Sequence, residues 1–199
     1  LMLQGPKSED VISASTRNLY LQYMEKFDIK YVNFLGLNVL IARTSYSGED
    51  GFEIFAHDKD VVEIWHYFNS NFKSIITKVG FDALDVLRTE AGLLFFGKDM
   101  TGIETPTELG LDFFVETTSN FRGKNQYANQ KNCPNFKVVG ISSDSSNQLG
   151  NFVLFTEYDV RAGIILSNCF SPTLGKYIGI AQVIPSEACH TNKLLCRPN

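Results

Sequence analysis

The feature that most restricts the fold is the last third of the chain, where strand patterns follow one another with no helix pattern between them. Five short runs rich in β-forming residues follow residue 135, with clusters of turn residues at 142–150 and 171–175. Such a region buries its apolar side chains by packing sheet on sheet or by closing a sheet on itself. We therefore predict a small all-β sandwich or barrel with strands at residues 136–141, 151–155, 160–166, 177–183 and 193–196.

Residues 1–92 combine strand patterns with helix patterns. The chain opens on an apolar stretch typical of the end of a strand, and a polar helical stretch follows the Gly5-Pro6 turn. Strands interleaved with helices predict an α+β layer with the helices on one face of an antiparallel sheet. The predicted strands are residues 30–35, 38–43 and 51–55, and the apolar positions of the first helix are Val11, Ile12, Leu19 and Tyr23.

Two further helices are predicted in the same region. One has Asp58 at its N-cap, and the other has Asp82 at its N-cap and Gly92 as its stop. Apolar residues recur at helical spacing in both. They are Val61, Trp65, Phe68 and Phe72 in the first helix, where they form a stripe that faces the core, and Leu84, Leu87 and Ala91 in the second.

The domain organisation is predicted from a change of composition. Residues 93–132 have little periodicity, and residues 129–135 (Asn-Gln-Lys-Asn-Cys-Pro-Asn) are typical of a linker. We predict an α+β region over residues 1–128 and a C-terminal β-barrel domain over residues 136–199. A chain of 199 residues of which 44% are hydrophobic is large enough to bury a core in each.

The charge balance narrows the classes of partner. The formal net charge is −4, which argues against a nucleic-acid or anionic-membrane surface, because both need a basic stripe. The longest apolar runs are far too short to span a bilayer. We therefore predict neither a nucleic-acid partner nor a membrane partner.

The cysteines and histidines have no metal-ligand spacing, so we predict no metal site. Scattered thiols in a reducing compartment are the preferred interpretation, and a disulfide between Cys189 and Cys196 is the alternative. The residues concerned are Cys133, Cys169, Cys189, Cys196, His57, His66 and His190.

A series of motifs, in order along the chain, carries a resemblance to a known family. Residues 43–53 are Arg-Thr-Ser-Tyr-Ser-Gly-Glu-Asp-Gly-Phe-Glu, and residues 87–93 are Leu-Arg-Thr-Glu-Ala-Gly-Leu. Together with the remaining matches they resemble the aminomethyltransferase (T-protein) family of the glycine cleavage system. Its superfamily also includes the C-terminal regions of dimethylglycine and sarcosine dehydrogenases. The remaining matches are residues 3–6, 96–99, 105–108, 120–124, 170–176 and 178–179.

The resemblance implies a tetrahydrofolate-dependent transferase. Such an enzyme takes an aminomethyl group from a lipoyl-bearing carrier protein (H-protein), releases ammonia and passes the one-carbon unit to tetrahydrofolate. The implied compartment is the bacterial cytoplasm or the mitochondrial matrix. Family members are longer, and a region before their Leu-Gln-Gly-Pro segment supplies part of the folate cavity and the catalytic aspartate. We therefore expect a fragment or a truncated product, with no catalytic residue assigned in this chain.

Glu53 is the best candidate for a folate ligand. A pterin presents a ring N–H beside an exocyclic amino group, and one carboxylate accepts from both. The family has a glutamate with this role at the matching position. Arg43 and Tyr46 are candidates to line the same site.

Phe113 stands where the family usually has an aromatic residue that packs on the pterin. The alternative is that it belongs to the core with Leu111 and Phe114. Glu49 and Asp50 are predicted to act in a turn, with Gly48 and Gly51 freeing the backbone for positive φ.

Two departures from the family pattern leave the function open. Leu84 replaces an arginine and Phe96 replaces a tyrosine, so a guanidinium and a hydroxyl are missing from the expected folate site. One alternative is therefore a non-catalytic or degenerate folate-binding module. The other is the C-terminal part of a folate-linked dehydrogenase or demethylase.

Overall fold

The structure, a computed structural model, describes residues 1–16, 21, 23–143, 152–189 and 193–198. The chain divides into two compact units, Leu1–Ala91 and Gly92–Asn199, and each is described by itself. The linker predicted at residues 129–135 lies inside the second unit, and a domain boundary at that point stays a prediction. No helix in the described part of the chain is long and apolar enough to cross a membrane.

The first unit contains one antiparallel sheet, with its strands in the order β1-β4-β3-β2. Strand β4 has the predicted bounds, and β2 and β3 each lie one residue before the predicted ones. The elements described here are β1 (Met2–Gln4), α1 (Ser8–Ser15), β2 (Ile29–Phe34), β3 (Leu37–Ala42), β4 (Gly51–Phe55), α2 (Asp58–Asn71) and α3 (Phe81–Glu90).

One face of this sheet packs against helices. Alternate residues of each strand point to it, so Phe52 and Ile54 of β4 are buried while Glu53 between them is on the other face. The predicted α+β class, with helices on one face of an antiparallel sheet, is confirmed for α1 and α2. The buried cluster joins strand and helix residues: Leu3, Val11, Ile12, Leu21, Met24, Val32, Phe34, Val39, Ile41, Phe52, Ile54, Ile64 and Phe68.

The buried stripe of α2 differs from the predicted one. Ile64 is fully buried, whereas Trp65 is 39% exposed. Successive residues on a helix are about 100° apart around its axis. With Ile64 and Phe68 at the centre of the buried face, Trp65 lies at the edge of that face. The predicted N-cap is also wrong, because the helix begins at Asp58 and His57 is its N-cap residue.

The other helix predictions need smaller corrections. The N-cap of α3 is Gly80, and Asp82 lies in the first turn, where a carboxylate favours the helix dipole. Gly92 follows the helix with φ +70°, as expected of a stop. Tyr23 is 75% exposed and lies outside α1, and Leu19 is outside the described residues.

The second unit contains a five-stranded antiparallel sheet in the order β5-β8-β7-β6-β9. The strand predictions are confirmed with shifted ends, although Asn151 and most of the predicted turn at 142–150 lie outside the described residues. Closure into a barrel stays a prediction. The elements are α4 (Lys124–Gln130), β5 (Lys137–Ser143), β6 (Phe152–Phe155), β7 (Arg161–Ser171), β8 (Lys176–Val183) and β9 (Leu195–Pro198), with short 3₁₀ turns at Asp112–Phe114 and Pro185–Glu187.

The cysteines of the second unit are free thiols. Cys196 lies in β9 opposite Leu154 of β6, and Cys189 follows the 3₁₀ turn after β8. The disulfide considered between Cys189 and Cys196 is therefore wrong. Cys196 is exposed, but desolvation by its neighbours raises the pKa of its thiol, which disfavours the reactive thiolate form.

Carboxylates hold the irregular segment before the second sheet. Glu108 accepts hydrogen bonds from the backbone N–H of Thr105 (2.8 Å) and of Asn135 (3.1 Å), and Asp99 accepts one from Ser167 of β7. Burial by itself would raise the pKa of Glu108, but the hydrogen bonds from Thr105 and Asn135 outweigh it and hold the pKa below its usual value. These contacts tie the segment after Gly92 to Asn135, just before β5, and to β7.

Candidate functional site

Gln4 joins two of the sequence motifs in the first unit. Its side-chain oxygen accepts hydrogen bonds from Ser45 Oγ, from Ser47 Oγ (3.1 Å) and from the backbone N–H of Tyr46 (3.2 Å). Its amide nitrogen donates to the backbone oxygen of Thr44 (3.2 Å). The loop between β3 and β4 is therefore built around one glutamine side chain. The sequence does not predict this role of Gln4, although the match at residues 3–6 is a signal for it.

Two glycines let this loop close. A Cβ at Gly51 would lie 2.7 Å from Gln4 Nε2 and 2.8 Å from the backbone oxygen of Leu3, so the position needs space. Its φ is outside the positive range, so the prediction that Gly51 supplies a positive φ is wrong. Gly48 has φ +82°, and a Cβ there would lie 2.5 Å from Cβ of Ala91. Gly51 excludes other residues because a side chain would collide with Gln4 and Leu3, and Gly48 excludes them because of its positive φ and the nearby Ala91.

Arg43 is a structural ion-pair centre on the helix-covered face of the sheet. Its guanidinium donates to Asp50 Oδ2 (2.7 Å), to Glu9 Oε2 (2.6 Å) and to the backbone oxygen of Met24 (2.7 Å). It also lies over the ring of Phe52, 5.4 Å from the centroid. The hydrogen bonds that Arg43 donates to Asp50 and Glu9 raise its pKa, against the effect of burial. Its charge is already balanced by two carboxylates within the unit.

Asp50 has the complementary role. The hydrogen bond from Arg43 lowers the pKa of this carboxyl below its usual range, and the backbone N–H of Gly51 lowers it further. The backbone oxygen of Asp50 accepts from the N–H of Gly5 (2.8 Å) and from Ser8 Oγ (3.2 Å). Asp50 thus closes the turn and anchors the start of α1, whereas Glu49 is exposed beside it.

Glu53 lies on the opposite face of the sheet from Arg43. It is half-buried in the middle of β4, with Met2 of β1 and Ala42 of β3 as its register partners. Cross-strand partners share a face, so this carboxylate stands among apolar neighbours. We call this face the second sheet face; its residues are Met2, Gln4, Ile29, Tyr31, Asn33, Asn38, Leu40, Ala42, Gly51, Glu53 and Phe55.

The second sheet face is largely open, and the residues around Glu53 are apolar, whereas Asn33 and Asn38 lie at the turn of the β2–β3 hairpin. Tyr31 is 84% exposed, Ile29 58% and Phe55 52%, while Ala42 is buried. One carboxylate in a field of apolar side chains suits a flat heterocycle that carries hydrogen-bond donors on one edge. The apolar groups cover the ring, and the carboxylate accepts from the donors.

A recess of about 160 Å³ lies at the loop between β3 and β4 and does not include Glu53. Its volume is below the roughly 300 Å³ at which ligand pockets usually start, so it does not accommodate a pterin with its tail. Arg43 and Asp50 occupy part of its wall with their own ion pair. It is lined by Lys26, Arg43, Thr44, Ser45, Gly48, Glu49 and Asp50.

The structure therefore separates the predicted site residues. Arg43, Tyr46 and Glu53 belong to the β3–β4 hairpin, but Arg43 and Glu53 lie on opposite faces, and Tyr46 is half-buried in the loop. Phe113 belongs to the second unit, where it is 76% exposed in the 3₁₀ turn. Such exposure excludes the alternative that Phe113 is a core residue.

The two departures from the family pattern also lie in different units. Leu84 is half-buried in α3, and Phe96 is 66% exposed in the second unit. In α3 the buried residues are polar, Arg88 and Thr89. Arg88 Nη2 pairs with Asp85 one turn earlier at 2.7 Å, so its buried charge has a partner.

Comparison with known proteins finds a matching family and similar proteins. The model of the family described as "GCVT N-terminal domain" matches residues 1–119. The Aminomethyltransferase of Thermoanaerobacter pseudethanolicus is 36% identical, over 92% of this chain and 50% of that protein. The Aminomethyltransferase of Staphylococcus saprophyticus is 32% identical, over 92% of this chain and 51% of that protein. This chain thus spans about half the length of the curated relatives that it matches.

A solved structure shares the fold. The glycine cleavage system aminomethyltransferase T from Bartonella henselae superposes with a TM-score of 0.80 at 22% sequence identity, over 100% of this chain and 55% of that chain. The match over residues 1–119 covers both the Gln4-centred loop and the Phe113 turn. This chain belongs to the GCVT N-terminal domain family, as its resemblance to the aminomethyltransferases predicts.

Proposed function

We propose that the protein carrying this chain is a tetrahydrofolate-dependent aminomethyltransferase. It takes the aminomethyl group from a lipoyl-bearing carrier protein and passes the carbon to tetrahydrofolate. The bonds from the carbon to the carrier sulfur and to the amino nitrogen break, and the carbon bonds to two nitrogens of tetrahydrofolate. The two protons that these nitrogens lose complete the carrier thiol and the released ammonia. The observation that carries the proposal is the half-buried carboxylate of Glu53 between its apolar partners Met2 and Ala42, in a chain related to named aminomethyltransferases.

Glu53 acts by recognition and orientation. Its two oxygens accept from the ring N–H and the exocyclic amino group of the pterin, and its apolar neighbours exclude water from those bonds. This orients the reacting nitrogens of folate toward the lipoyl arm, and orientation of two bound reactants contributes much of the rate. Phe113 supplies a ring that packs on the flat heterocycle. Neither residue transfers a proton in this proposal.

The arguments for Arg43 and Tyr46 as folate ligands differ. Arg43 faces the helices and is paired with Asp50 and Glu9, so we propose that it shapes the loop and does not contact folate. Tyr46 sits in the loop that Gln4 organises, close in sequence to the strand of Glu53. We propose Tyr46 as a lining residue of the site. The proposed compartment is the bacterial cytoplasm or the mitochondrial matrix.

A second candidate function is folate binding without transfer. Leu84 and Phe96 place apolar groups where the family has an arginine and a tyrosine, which weakens polar recognition of folate and of the carrier. Apolar packing on the pterin would remain. The protein would then hold tetrahydrofolate without releasing ammonia.

The test measures ammonia released from an aminomethyl-loaded lipoyl carrier protein, with and without tetrahydrofolate, by the full protein. The proposal expects release that requires tetrahydrofolate and that falls strongly in Glu53→Gln, while Glu49→Gln retains it. Saturable folate binding with no ammonia release would instead support the binding module. Release that is independent of tetrahydrofolate would overturn the proposed reaction.

A further inference from the structure

The 3₁₀ turn Asp112–Phe114 presents two aromatic rings at the surface of the second unit. Phe113 is 76% exposed and Phe114 is 67% exposed. Their ring centroids are 4.2 Å apart, with an angle of 37° between the ring planes. The rings are tilted against each other, and each presents exposed apolar surface on which a flat ligand can pack.

A partly buried hydrogen-bond network holds the residue at the start of this turn. Asp112 Oδ1 accepts a hydrogen bond from the hydroxyl of Tyr127 at 2.6 Å and another from Thr107 Oγ1 at 2.7 Å. Tyr127 belongs to α4 and is 8% exposed, and Thr107 is also buried. One carboxylate oxygen therefore connects the turn to a helix on one side and to the preceding segment on the other.

The charges around Asp112 agree with a fixed carboxylate. The hydrogen bond from Tyr127 lowers the pKa of Asp112, with Thr107, Lys131 and Lys137 acting in the same direction. The same bond raises the pKa of Tyr127. Asp112 is thus ionised and Tyr127 is protonated near neutral pH, so the charge-assisted bond between them persists there.

Few backbone hydrogen bonds hold the turn in place. The N–H of Phe114 donates to the oxygen of Leu111 (3.1 Å), and the N–H of Val115 donates to the oxygen of Asp112 (3.0 Å). Two such bonds in a turn with exposed side chains do not hold a ring in one place, because 3₁₀ geometry is weak in short pieces. The side chain of Asp112 adds the restraint that the backbone lacks.

We propose that Asp112 is a positioning residue that, through Tyr127 and Thr107, holds the ring of Phe113 in place to stack on a flat heterocyclic ligand. This inference rests on the proposed function for the identity of that ligand, the pterin of tetrahydrofolate. The hydroxyl of Tyr127 and that of Thr107 act on the ligand only through Asp112 and the turn. None of these three side chains needs to contact the ligand.

The first experiment measures order in the turn without any ligand. Tyr127→Phe removes one hydroxyl and keeps the buried ring, so the fold is retained. Amide hydrogen exchange at Phe114 and Val115 is expected to rise roughly tenfold, which corresponds to losing one charge-assisted hydrogen bond. Unchanged exchange at both amides would show that Asp112 does not hold the turn.

Glu116→Gln is the matched control for this experiment. Glu116 is also a carboxylate that accepts two bonds, from the N–H of Thr118 (2.7 Å) and from its hydroxyl (2.7 Å), and it lies just after the turn. It has no bond to Tyr127 or to Thr107 among those described. Exchange at Phe114 and Val115 is expected to stay the same in Glu116→Gln, and an equal rise in both variants would overturn the proposed role of Asp112.

The second experiment is a double-mutant cycle on tetrahydrofolate affinity with Asp112→Ala and Phe113→Ala. If Asp112 acts by positioning Phe113, Asp112→Ala weakens binding roughly three- to tenfold, because only a fraction of molecules hold the ring correctly. In the Phe113→Ala background it should have no further effect. An equal loss in both backgrounds would overturn the proposal, and thermal melting reports on folding of every variant.

Failure of the proposed function gives a different result. If the unchanged full protein shows no saturable tetrahydrofolate binding, the proposed function and the stacking on a pterin both fail. The exchange experiment still decides whether Asp112 holds the Phe113 turn, because it needs no ligand. A tenfold rise in exchange together with an additive cycle would leave Asp112 as a structural residue and refute positioning of a ligand contact.

Discussion

The first unit and the second unit combine apolar and charged residues in opposite ways. In the first, a continuous apolar cluster joins the sheet to α1 and α2, and the candidate ligand residue is a carboxylate, Glu53, on the other face. In the second, a smaller apolar cluster lies in the sheet, while Glu108 and Asp112 hold the segment before it. There the candidate ligand residue is an exposed ring, Phe113.

This difference predicts which changes lower the stability of each unit. Burial of apolar area is cooperative and depends little on pH, whereas carboxylate anchors depend on ionisation and on the geometry of a few hydrogen bonds. The first unit should therefore respond most to loss of core volume. The second should respond most to loss of individual acceptors and to acid.

The largest expected effect is on the first unit. Phe34→Ala removes a fully buried ring that contacts Phe68, with ring centroids 5.8 Å apart, and should lower the free energy of unfolding by about 3–5 kcal/mol. Urea unfolding measures it. Tyr31→Ala, on the same strand but 84% exposed, is the control and should change stability by less than about 0.5 kcal/mol. Equal losses in the two variants would contradict the assigned core face.

The next effect concerns ligand recognition by the first unit. Glu53→Gln keeps the shape but replaces one acceptor with a donor that faces donors on the pterin. Tetrahydrofolate affinity of the full protein should fall by about 2–3 kcal/mol, or roughly thirty- to a hundredfold. Glu49→Gln should cost little, because Glu49 is exposed in the turn. If Glu49→Gln abolishes binding while Glu53→Gln leaves it intact, the pterin carboxylate is wrongly assigned.

A pH experiment tests the anchors of the second unit. The folded pKa of Glu108 is below its unfolded value of about 4.5, so its stabilisation is present above pH 4.5 and is lost as the pH falls through the folded pKa. Glu108→Gln should lower the free energy of unfolding by about 2 kcal/mol at pH 7 and by much less at pH 3. Denaturant unfolding at both pH values measures this. A constant difference would show that the charge of Glu108 does not matter.

The smallest effect is on the exposed ring. Phe113→Ala should leave thermal stability nearly unchanged, because the side chain is 76% exposed. Tetrahydrofolate affinity should fall by about 1 kcal/mol, roughly fivefold, between the effects of Glu49→Gln and Glu53→Gln. Calorimetric titration gives the affinity. A large drop in melting temperature would instead show that Phe113 supports the fold, which would weaken the contrast between the units.

The contrast between the two units also explains which parts of the fold can be predicted from the sequence. The bounds of β4 follow from the sequence because Gly48 and Gly51 bracket a turn and β-forming residues come directly after it. The predicted stripe of α2 contains Trp65 and omits Ile64, although Ile64 is the residue buried in the cluster with the sheet. Periodicity thus finds elements more reliably than it finds the phase of a helix.

The irregular segment after Gly92 could not be derived in this way. Its order comes from Glu104, Glu108 and Asp112, whose bonds to nearby N–H and hydroxyl groups have no period. Glu104 is a clear example: desolvation would raise its pKa, but the N–H groups of Thr101 and Gly102 contribute to lowering it to about 2. Residue types at turns suggest such bonds, but only the folded backbone decides which acceptor meets which donor.

The pairing of β1 with β4 has a consequence for how the first unit forms. Met2 lies opposite Glu53, so the first strand of this chain takes its place only after the residues up to Phe55 have left the ribosome. The β2–β3 hairpin, by contrast, closes locally across Leu35 and Gly36. Contacts of long sequence separation slow folding, so β1 should dock late, after the hairpin. During synthesis, the edge of β4 beside Glu53 is therefore among the last parts of this unit to be covered.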